Sequence, residues 1–369
     1  MKLERLSLFL VELPLVSPFA TSFSEERVKH ALLVSLTADG IMGWGECVAG
    51  SGPWFSAETV ETARYVISEY IKPILSAHKT FTHPSELRRL FSSIRGHPMA
   101  KAAVEAAAWD IYAKSQKKPL FQVLGGVREE VPAGVSVGIH RDIPSLLATV
   151  EGYLAEGYQR IKLKIKPGWD LEPVRAVRER FPDVLLSVDA NAAYRFSDLP
   201  TLKELDRFGL LMVEQPLGFD DLLEHVRLAQ TLSTPICLDE SIDSAHRAWE
   251  AVELGACRII NVKQGRVGGI TEALEIHALA MDRKIPLWCG GMLETGVGRA
   301  LNVHLATLPG FTLPHDISAT KRYFREDIAD PPFELKDGFI PVPQKPGLGV
   351  EINWDRLLRS CTWSRTWKI

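Results

Sequence analysis

The middle of the sequence contains a series of short apolar runs that each end in a charged side chain. The steps between consecutive charges are 25, 25, 25 and 24 residues. A step of this size accommodates one buried strand, one amphipathic helix and two short loops. Because parallel strands of one sheet end at the same edge, we expect these side chains to converge at one site. In chain order they are Lys164, Asp189, Glu214, Asp239 and Lys263.

The three carboxylates of this series could hold a metal ion. If they converged without partners, Asp189, Glu214 and Asp239 would repel one another, and their pKa values would rise. A divalent cation removes that repulsion. Mg²⁺, with Mn²⁺ as the alternative, prefers oxygen ligands and leaves positions for water or substrate. In a second interpretation each carboxylate pairs with a separate helix end, but the equal spacing favours the magnesium site.

The lysines of the series could act as bases. Lys162 and Lys164 alternate with apolar residues, so both should point into a barrel interior, whereas Lys166 lies beyond the strand. Neighbouring ammonium groups and a metal ion lower the pKa of a lysine, which favours a neutral amine near neutral pH. Lys263 comes four strands later, on the opposite side of such a barrel. A substrate between Lys164 and Lys263 could lose a proton next to its carboxylate while the metal stabilises the enediolate.

The elements that must position these residues alternate between strands and helices from residue 126 to residue 316. Eight consecutive units predict a closed (β/α)₈ barrel of the TIM type. An open doubly wound sheet would carry a glycine fingerprint after its first strand. The predicted strands cover residues 135–139, 161–164, 185–189, 210–214, 235–239, 258–263, 285–291 and 311–316.

The segments on either side of this region predict a second domain. Residues 1–125 contain strand patterns followed by helical patterns, which indicates an α+β capping domain. Residues 317–369 are rich in proline and irregular, and we expect them to pack back on that domain. Loops near residues 16–24 and 50–55 carry aromatic side chains. They could form a lid over the site, because binding residues concentrate in loops; packing in the core of the small domain is the alternative role.

The composition argues against several classes of protein. A net charge of −3 gives no electrostatic reason to bind nucleic acid or an anionic membrane. No apolar run is long enough to span a membrane, and the first residues do not resemble a signal peptide. The five cysteines show no paired spacing, which is typical of a reduced cytoplasmic protein. We therefore expect an enzyme with a small-molecule carboxylate substrate.

The charged motifs resemble those of the enolase superfamily, muconate-lactonizing subgroup, over nearly the whole chain. That subgroup has a Lys-x-Lys motif on the second barrel strand and a lysine on the sixth. The mandelate racemase pattern does not match, because this chain has Lys263 on the sixth strand. The motifs are Lys162-Leu163-Lys164, Val188-Asp189-Ala190-Asn191, Val213-Glu214-Gln215-Pro216, Leu238-Asp239-Glu240-Ser241 and Asn261-Val262-Lys263. Within the subgroup, residues 160–170, 265–269, 288–296 and 346–350 are similar to the o-succinylbenzoate synthase/N-succinylamino acid racemase family.

This resemblance implies a role for each residue of the series. Lys164 and Lys263 would be the acid/base pair, and Lys162 would help to stabilise the enediolate. The three carboxylates would hold Mg²⁺. The synthase reaction is a dehydration that yields 2-succinylbenzoate on the route to menaquinone, and the racemase reaction inverts an N-succinyl or other N-acyl amino acid. Both share the enediolate, so one site can serve both. The resemblance also implies a homo-oligomer.

The residues that select the substrate are predicted from the same resemblance. Dipeptide epimerases of the subgroup carry Asp-x-Asp after the eighth strand to bind the substrate ammonium, whereas this chain has Asp316-Ile317-Ser318. An N-acylated or amine-free substrate therefore fits better. Gly290, Gly291 and Met292 would leave room for a succinyl tail. The predicted substrate-binding residues are Phe19, Phe23, Trp54, Ser136, Asn191, Gly290, Gly291 and Met292.

Several alternatives share parts of this pattern. A muconate-type cycloisomerase or a dipeptide epimerase would use the same catalytic residues. A class I aldolase would form a Schiff base on a barrel lysine but would not need the three carboxylates. A binding protein on a decayed barrel is the alternative without catalysis, and it has no use for two opposed lysine bases.

Overall fold

The computed structural model describes all residues from Met1 to Ile369 and begins with an antiparallel sheet. In the spatial order of this sheet, the last strand of the chain lies beside the first. The two ends of the chain therefore meet in one capping sheet. Its four strands, in spatial order, are Cys361–Lys368, Leu3–Ala20, Glu25–Ala38 and Ile41–Cys47.

One long helix, Pro98–Ser115, packs across the capping sheet. Its alanine-rich face is buried, and Gly45 on the third strand lies so close to Ala103 that a β-carbon would collide with the Ala103 carbonyl. Small residues on both surfaces thus allow the helix and sheet backbones to approach closely. The other helices of the capping region are Val60–Val66, the π-helix Ile67–Ile71, Lys72–His78, Glu86–Leu90 and Leu120–Leu124.

The second part of the molecule is a sheet of seven parallel strands in sequential order, with a helix after each. This arrangement confirms the predicted TIM-type barrel. Barrel strands one to seven are Gly134–Val137, Arg160–Lys164, Leu185–Asp189, Val213–Glu214, Ile236–Leu238, Ile259–Val262 and Leu287–Cys289. The barrel helices are Ile143–Glu156, Leu171–Arg180, Leu199–Glu204, Leu223–Ala229, Ala245–Leu254, Gln264–Val267, Ile270–Arg283 and Gly296–Ala306. Short 3₁₀ turns cover Phe196–Asp198, Leu205–Phe208 and Thr320–Arg322.

The eighth predicted strand, 311–316, forms isolated bridges instead of a regular strand. Phe311 bridges barrel strand seven, and His315 bridges Ala133 just before barrel strand one. The Gly134 N–H donates to the His315 carbonyl at 2.6 Å, and the Asp316 N–H donates to the Cys289 carbonyl at 2.9 Å. Pro314 lies between these contacts and has no N–H to donate, so a continuous ladder cannot form. The segment nevertheless closes the ring.

The first two strands of the capping sheet extend beyond it as a long hairpin that reaches the barrel. The Ile139 N–H, after barrel strand one, donates to the Ala20 carbonyl at 3.0 Å near the hairpin tip. The Val16 N–H donates to the Tyr323 carbonyl at 2.9 Å. We call residues 16–24 the lid hairpin, because these two contacts hold it at the carboxyl end of the barrel.

The remaining C-terminal elements wrap around the junction between the two parts. They are the strands Glu130–Pro132, Ala329–Asp330, Phe339–Pro341 and Glu351–Ile352 and the helix Trp354–Ser360. No helix of the structure is both long enough and apolar enough to cross a membrane.

Candidate active site

The strand register places the charged series at one end of the barrel. Lys164 pairs with Asp189 on the neighbouring strand, and Asp189 pairs with Glu214 on the next. Asp239 and Lys263 directly follow barrel strands five and six. All five side chains are buried. The regular spacing in sequence therefore becomes a cluster of charges in space.

Lys162 lies at the centre of this cluster. Its Nζ is 2.6 Å from Asp316, 2.8 Å from Glu214 and 3.2 Å from Asp189. It also lies 4.7 Å from the centre of the Trp288 ring. Burial lowers the pKa of Lys162, but the three carboxylates outweigh burial and raise that pKa well above its usual range. Lys162 is thus a fixed cation.

The two lysines proposed as bases reach the cavity from opposite sides of the barrel. Lys164 Nζ donates to Asp189 and to Asn191 Oδ1, both at 2.6 Å. Lys263 Nζ donates to Asp239 at 2.7 Å and lies 4.5 Å from the centre of the Phe55 ring. Both lysines line the same cavity. A substrate in that cavity would have one amine on each side.

The lowered pKa expected for a lysine of the Lys162–Lys164 pair is not found at Lys162, because its three carboxylate neighbours raise its pKa. Burial lowers the pKa of Lys263, but Asp239, Glu240 and Glu214 together raise that pKa by more, so that the net effect is an increase. Lys162 and Lys164 each lie 2.6 Å from a carboxylate oxygen and Lys263 lies 2.7 Å from one, and the strand register places Lys164 opposite Asp189. The lysines and carboxylates of the series therefore neutralise one another's charges, which the sequence pattern alone does not show.

The three carboxylates differ in their protonation. Burial raises the pKa of Asp189 and of Asp239, yet the adjacent lysines, joined at Asp239 by Arg266, lower both below the usual range. Burial and the charge of Asp189 raise the pKa of Glu214 to about 7, with Lys162 opposing. Glu214 is therefore the carboxylate of the three that takes up a proton most readily, because burial and the negative charge of Asp189 disfavour its ionised form.

The oxygen donors of the cluster suit a hard divalent cation, although their side chains are turned towards basic and amide groups. Glu214 accepts from Asn261 Nδ2 at 2.7 Å as well as from Lys162. Asp239 is shared between Lys263 and Arg266. In this arrangement no group of three or more histidine, cysteine or acidic side chains has metal-binding geometry. The repulsion between Glu214 and its neighbouring carboxylates, which a cation would relieve, and the all-oxygen donor set are the features that fit Mg²⁺.

Three further residues complete the cluster, of which two are buried and Glu240 is half-buried. Arg266 contacts Asp239 and also donates to the carbonyls of Ile242 and Asn261 at 2.7 and 2.6 Å. Glu240 accepts from Asn191 Nδ2 at 2.8 Å, and burial together with Asp239 raises its pKa to about 8. Asp316 binds Lys162. Glu240 directly follows Asp239 in its motif, and Arg266 lies three residues after Lys263 in the family-like stretch 265–269, but the sequence does not show which groups they contact.

Most of the predicted substrate-binding residues line the cavity above the cluster. Trp54 is 66% exposed, and Phe23 is also exposed, so neither belongs to the core of the capping domain. The cavity is lined by Phe19, Phe23, Trp54, Ser136, Asn191, Gly291 and Met292 among its 23 residues.

Gly290 does not line the cavity. A β-carbon on Gly290 would lie 2.6 Å from Lys263 Cε and would also collide with Asn261. A β-carbon on Gly291 would lie 2.6 Å from the Asp316 carbonyl oxygen. The two glycines therefore allow the loop to pass close to Lys263 and Asp316, and only Gly291 also faces the ligand space.

Comparisons with known proteins identify the family of the chain. Residues 145–356 match the family model described as enolase C-terminal domain-like, and residues 5–125 match that of the mandelate racemase/muconate lactonizing enzyme N-terminal domain. The chain is 50% identical to the o-succinylbenzoate synthase of Geobacillus kaustophilus over 344 residues, 93% of this chain and 92% of that protein. It is also 50% identical to the N-succinylamino acid racemase of Amycolatopsis sp over 368 residues, 100% of this chain and 99% of that protein.

A solved structure of an enolase superfamily member from Listeria innocua has the same architecture. It superimposes with a TM-score of 0.96 at 42% sequence identity, and the match covers 99% of each chain. The chain therefore belongs to the enolase superfamily, in the family that contains the o-succinylbenzoate synthases and N-succinylamino acid racemases.

Proposed function

We propose that this protein removes the α-proton of a carboxylate substrate and forms an enediolate, as an o-succinylbenzoate synthase, an N-succinylamino acid racemase, or both. The observation that carries the proposal is the placement of Lys164 and Lys263. Their amines enter one cavity from barrel strands two and six, with the carboxylates between them. Two opposed bases can remove a proton from one face of a carbon and return it to the other.

Asp189, Glu214 and Asp239 would hold Mg²⁺ in this proposal. When bound, the cation would neutralise the carboxylates that now favour protonated lysines, and it would stabilise the negative charge of the enediolate. Lys162 pairs with Asp316, which is not one of these three ligands. Its positive charge would face the enediolate oxygens that the cation also stabilises. A bound cation would thus explain why carboxylates lie beside lysines that must lose their protons to act as bases.

The chain's own residues then account for both reactions. In the synthase reaction, Lys164 takes the α-proton, and hydroxide departs from the neighbouring carbon with a proton from a lysine, so that water is the second product. In the racemase reaction, the lysine on the opposite face donates its proton to the enediolate. The first step is common to both, and the substrate determines the second.

The surroundings of Asp316 favour a substrate without a free ammonium group. One oxygen of Asp316 contacts Arg160, and the other is 2.6 Å from Lys162. Burial raises the pKa of Asp316, but Lys162 and Arg160 lower it to about 2. Both oxygens are therefore engaged, and Ser318 replaces the second aspartate of the dipeptide epimerase motif. An N-acyl amino acid and the amine-free synthase substrate have no ammonium group, so they do not need a free aspartate at this position.

The test measures α-proton exchange by NMR in D₂O. Protein freed of metal by chelation is supplied with Mg²⁺ and offered the synthase substrate, N-succinyl amino acids and the dipeptide L-Ala-L-Glu in separate reactions. We expect Mg²⁺-dependent turnover or exchange with at least one of the first two classes and much slower exchange with the dipeptide. Absence of exchange and turnover with the first two would refute the proposed function. Faster exchange with the dipeptide would identify an epimerase instead.

A further inference from the structure

A fourth lysine lines the active-site cavity and belongs to the capping sheet. Lys29 lies on the strand Glu25–Ala38, is only 3% exposed, and contributes to the cavity wall together with Met292. Its Nζ donates one hydrogen bond, to the Met292 carbonyl at 2.9 Å. An ammonium group has three N–H donors. Lys29 therefore has hydrogen-bonding capacity that the protein does not use.

Lys29 is also the only lysine of the cavity without an ion pair. Lys162, Lys164 and Lys263 each lie within 3.2 Å of a carboxylate, whereas no carboxylate oxygen lies within 4.0 Å of Lys29. Glu26, on the same strand, lines the cavity as well but does not reach it. Burying a cation without a partner is costly, so such a group is expected to have a function.

The nearest structural explanation is the buried carboxylate of Glu46. Burial raises the pKa of Glu46, and the charge of Lys29 opposes that effect. However, Glu46 already accepts from the Thr295 hydroxyl at 2.6 Å, the Thr295 N–H at 3.1 Å and the Gly298 N–H at 2.9 Å. Those bonds satisfy both of its oxygens at the start of the helix Gly296–Ala306. Glu46 does not need Lys29 as a hydrogen-bond donor.

We propose that Lys29 binds the distal carboxylate of a succinyl tail, at the wall of the cavity that the capping sheet supplies. This inference rests on the proposed function, because it takes the α-carboxylate to lie at the Lys164–Lys263 end. A succinyl group carries a second carboxylate, and an ion pair with a desolvated lysine would distinguish it from a neutral acyl group. Lys29 would thus select dianionic substrates, in the synthase and the racemase reaction alike.

The test compares two N-acyl forms of one amino acid, for example phenylalanine. The N-succinyl form ends in a carboxylate, and the N-succinamoyl form ends in the isosteric neutral amide. For the wild-type protein with Mg²⁺ we expect kcat/KM to be about tenfold or more higher for the succinyl form, the effect of one charge-assisted hydrogen bond. In Lys29→Met this ratio should fall to near one, mainly through a higher KM for the succinyl form, and Lys29→Arg should restore most of it.

Lys166→Met is the matched control, because Lys166 is exposed and does not line the cavity. It should keep the wild-type ratio. Equal kcat/KM for the two forms in the wild type would overturn the inference while leaving the proposed function intact. An equal loss with both forms in a folded Lys29→Met protein would also overturn it, because that result is what a purely structural partner of Glu46 predicts. Absence of exchange with both forms, together with no turnover of the synthase substrate, would refute the proposed function itself.

Discussion

Lys162 and Asp316 form a 2.6 Å ion pair that joins the second barrel strand to the segment that closes the barrel. The other oxygen of Asp316 contacts Arg160, which is fully buried and stacks on Trp288 at 4.7 Å. Arg160 forms no other ion pair, and two of its nitrogens have no hydrogen-bond partner. Asp316 is therefore the counter-ion of two buried cations as well as a wall of the active site.

Replacing Asp316 by asparagine should destabilise the protein. Asn keeps the shape of the side chain but leaves Arg160 without a counter-ion, and removing one member of a buried pair costs about 3 kcal/mol or more. Urea unfolding measures the change. Asp282→Asn is the control, because the Asp282–Arg283 pair is exposed and should contribute about 0.5 kcal/mol or less. A variant with wild-type stability would show that Arg160 does not depend on Asp316.

The lid hairpin should be sensitive to one glycine. A β-carbon on Gly138 would lie 2.8 Å from the Ala20 carbonyl oxygen, so Gly138→Ala should push the hairpin away from the barrel. Because Phe19 and Phe23 lie on this hairpin, we expect KM to rise by about tenfold, the scale of one or more lost apolar contacts, with a smaller change in kcat.

Gly152→Ala is the matched control for the lid experiment. Gly152 lies in the helix Ile143–Glu156, and nothing lies within 4 Å of an added β-carbon. Alanine should raise the free energy of unfolding by up to about 1 kcal/mol through helix propensity and leave KM unchanged. If KM were also unchanged in Gly138→Ala, the contact between the hairpin and the barrel would not contribute to substrate binding.

The stability of the contact between the cap and the barrel should depend on pH through Glu105. Burial raises the pKa of Glu105 from 4.5 to about 7, against hydrogen bonds from Thr271 on the barrel helix Ile270–Arg283. The folded state therefore binds this proton more tightly than the unfolded state. The resulting stability is fully present below the unfolded pKa of 4.5 and is lost as pH rises through 7.

Glu105→Gln should remove this dependence, because glutamine does not titrate. Relative to the wild type, the variant should gain about 1–3 kcal/mol of stability between about pH 5 and about pH 8, measured by urea unfolding at each pH. Glu151→Gln, at an exposed ion pair with Arg180, should show no comparable trend. A difference between Glu105→Gln and wild type that stays constant with pH would contradict the assigned pKa shift.

The sequence predicts the barrel well because one repeat imposes both the strand positions and the charges at their ends. Asp189 pairs with Lys164 in the register that equal spacing requires. The prediction is wrong for the regular eighth strand, because Pro314 interrupts the backbone ladder while two isolated bridges still close the ring. Closure there depends on tertiary packing, and a single-strand pattern cannot show it.

The sequence predicts the catalytic positions but not their partners. The alternation of lysine and apolar residues in its strand predicts that Lys162 points into the barrel. Its contact with Asp316 joins residue 162 to residue 316, 154 positions later, and no local pattern predicts it. Lys29 lies at the start of an apolar run on the second capping strand, where a lysine normally suggests a solvent-facing position. Only the passage of the long hairpin over the barrel places that lysine in the cavity.

The most direct test of the central claim replaces each proposed base separately and follows both enantiomers of an N-succinyl amino acid in D₂O. Lys164→Ala and Lys263→Ala should each reduce racemisation by about 100-fold or more, the scale of general-base catalysis. Each variant should still exchange the α-proton of one enantiomer, because the remaining lysine faces one side of the substrate, and the two variants should retain opposite enantiomers. Wild-type racemisation in either variant, or retention of the same enantiomer by both, would contradict the two-base account.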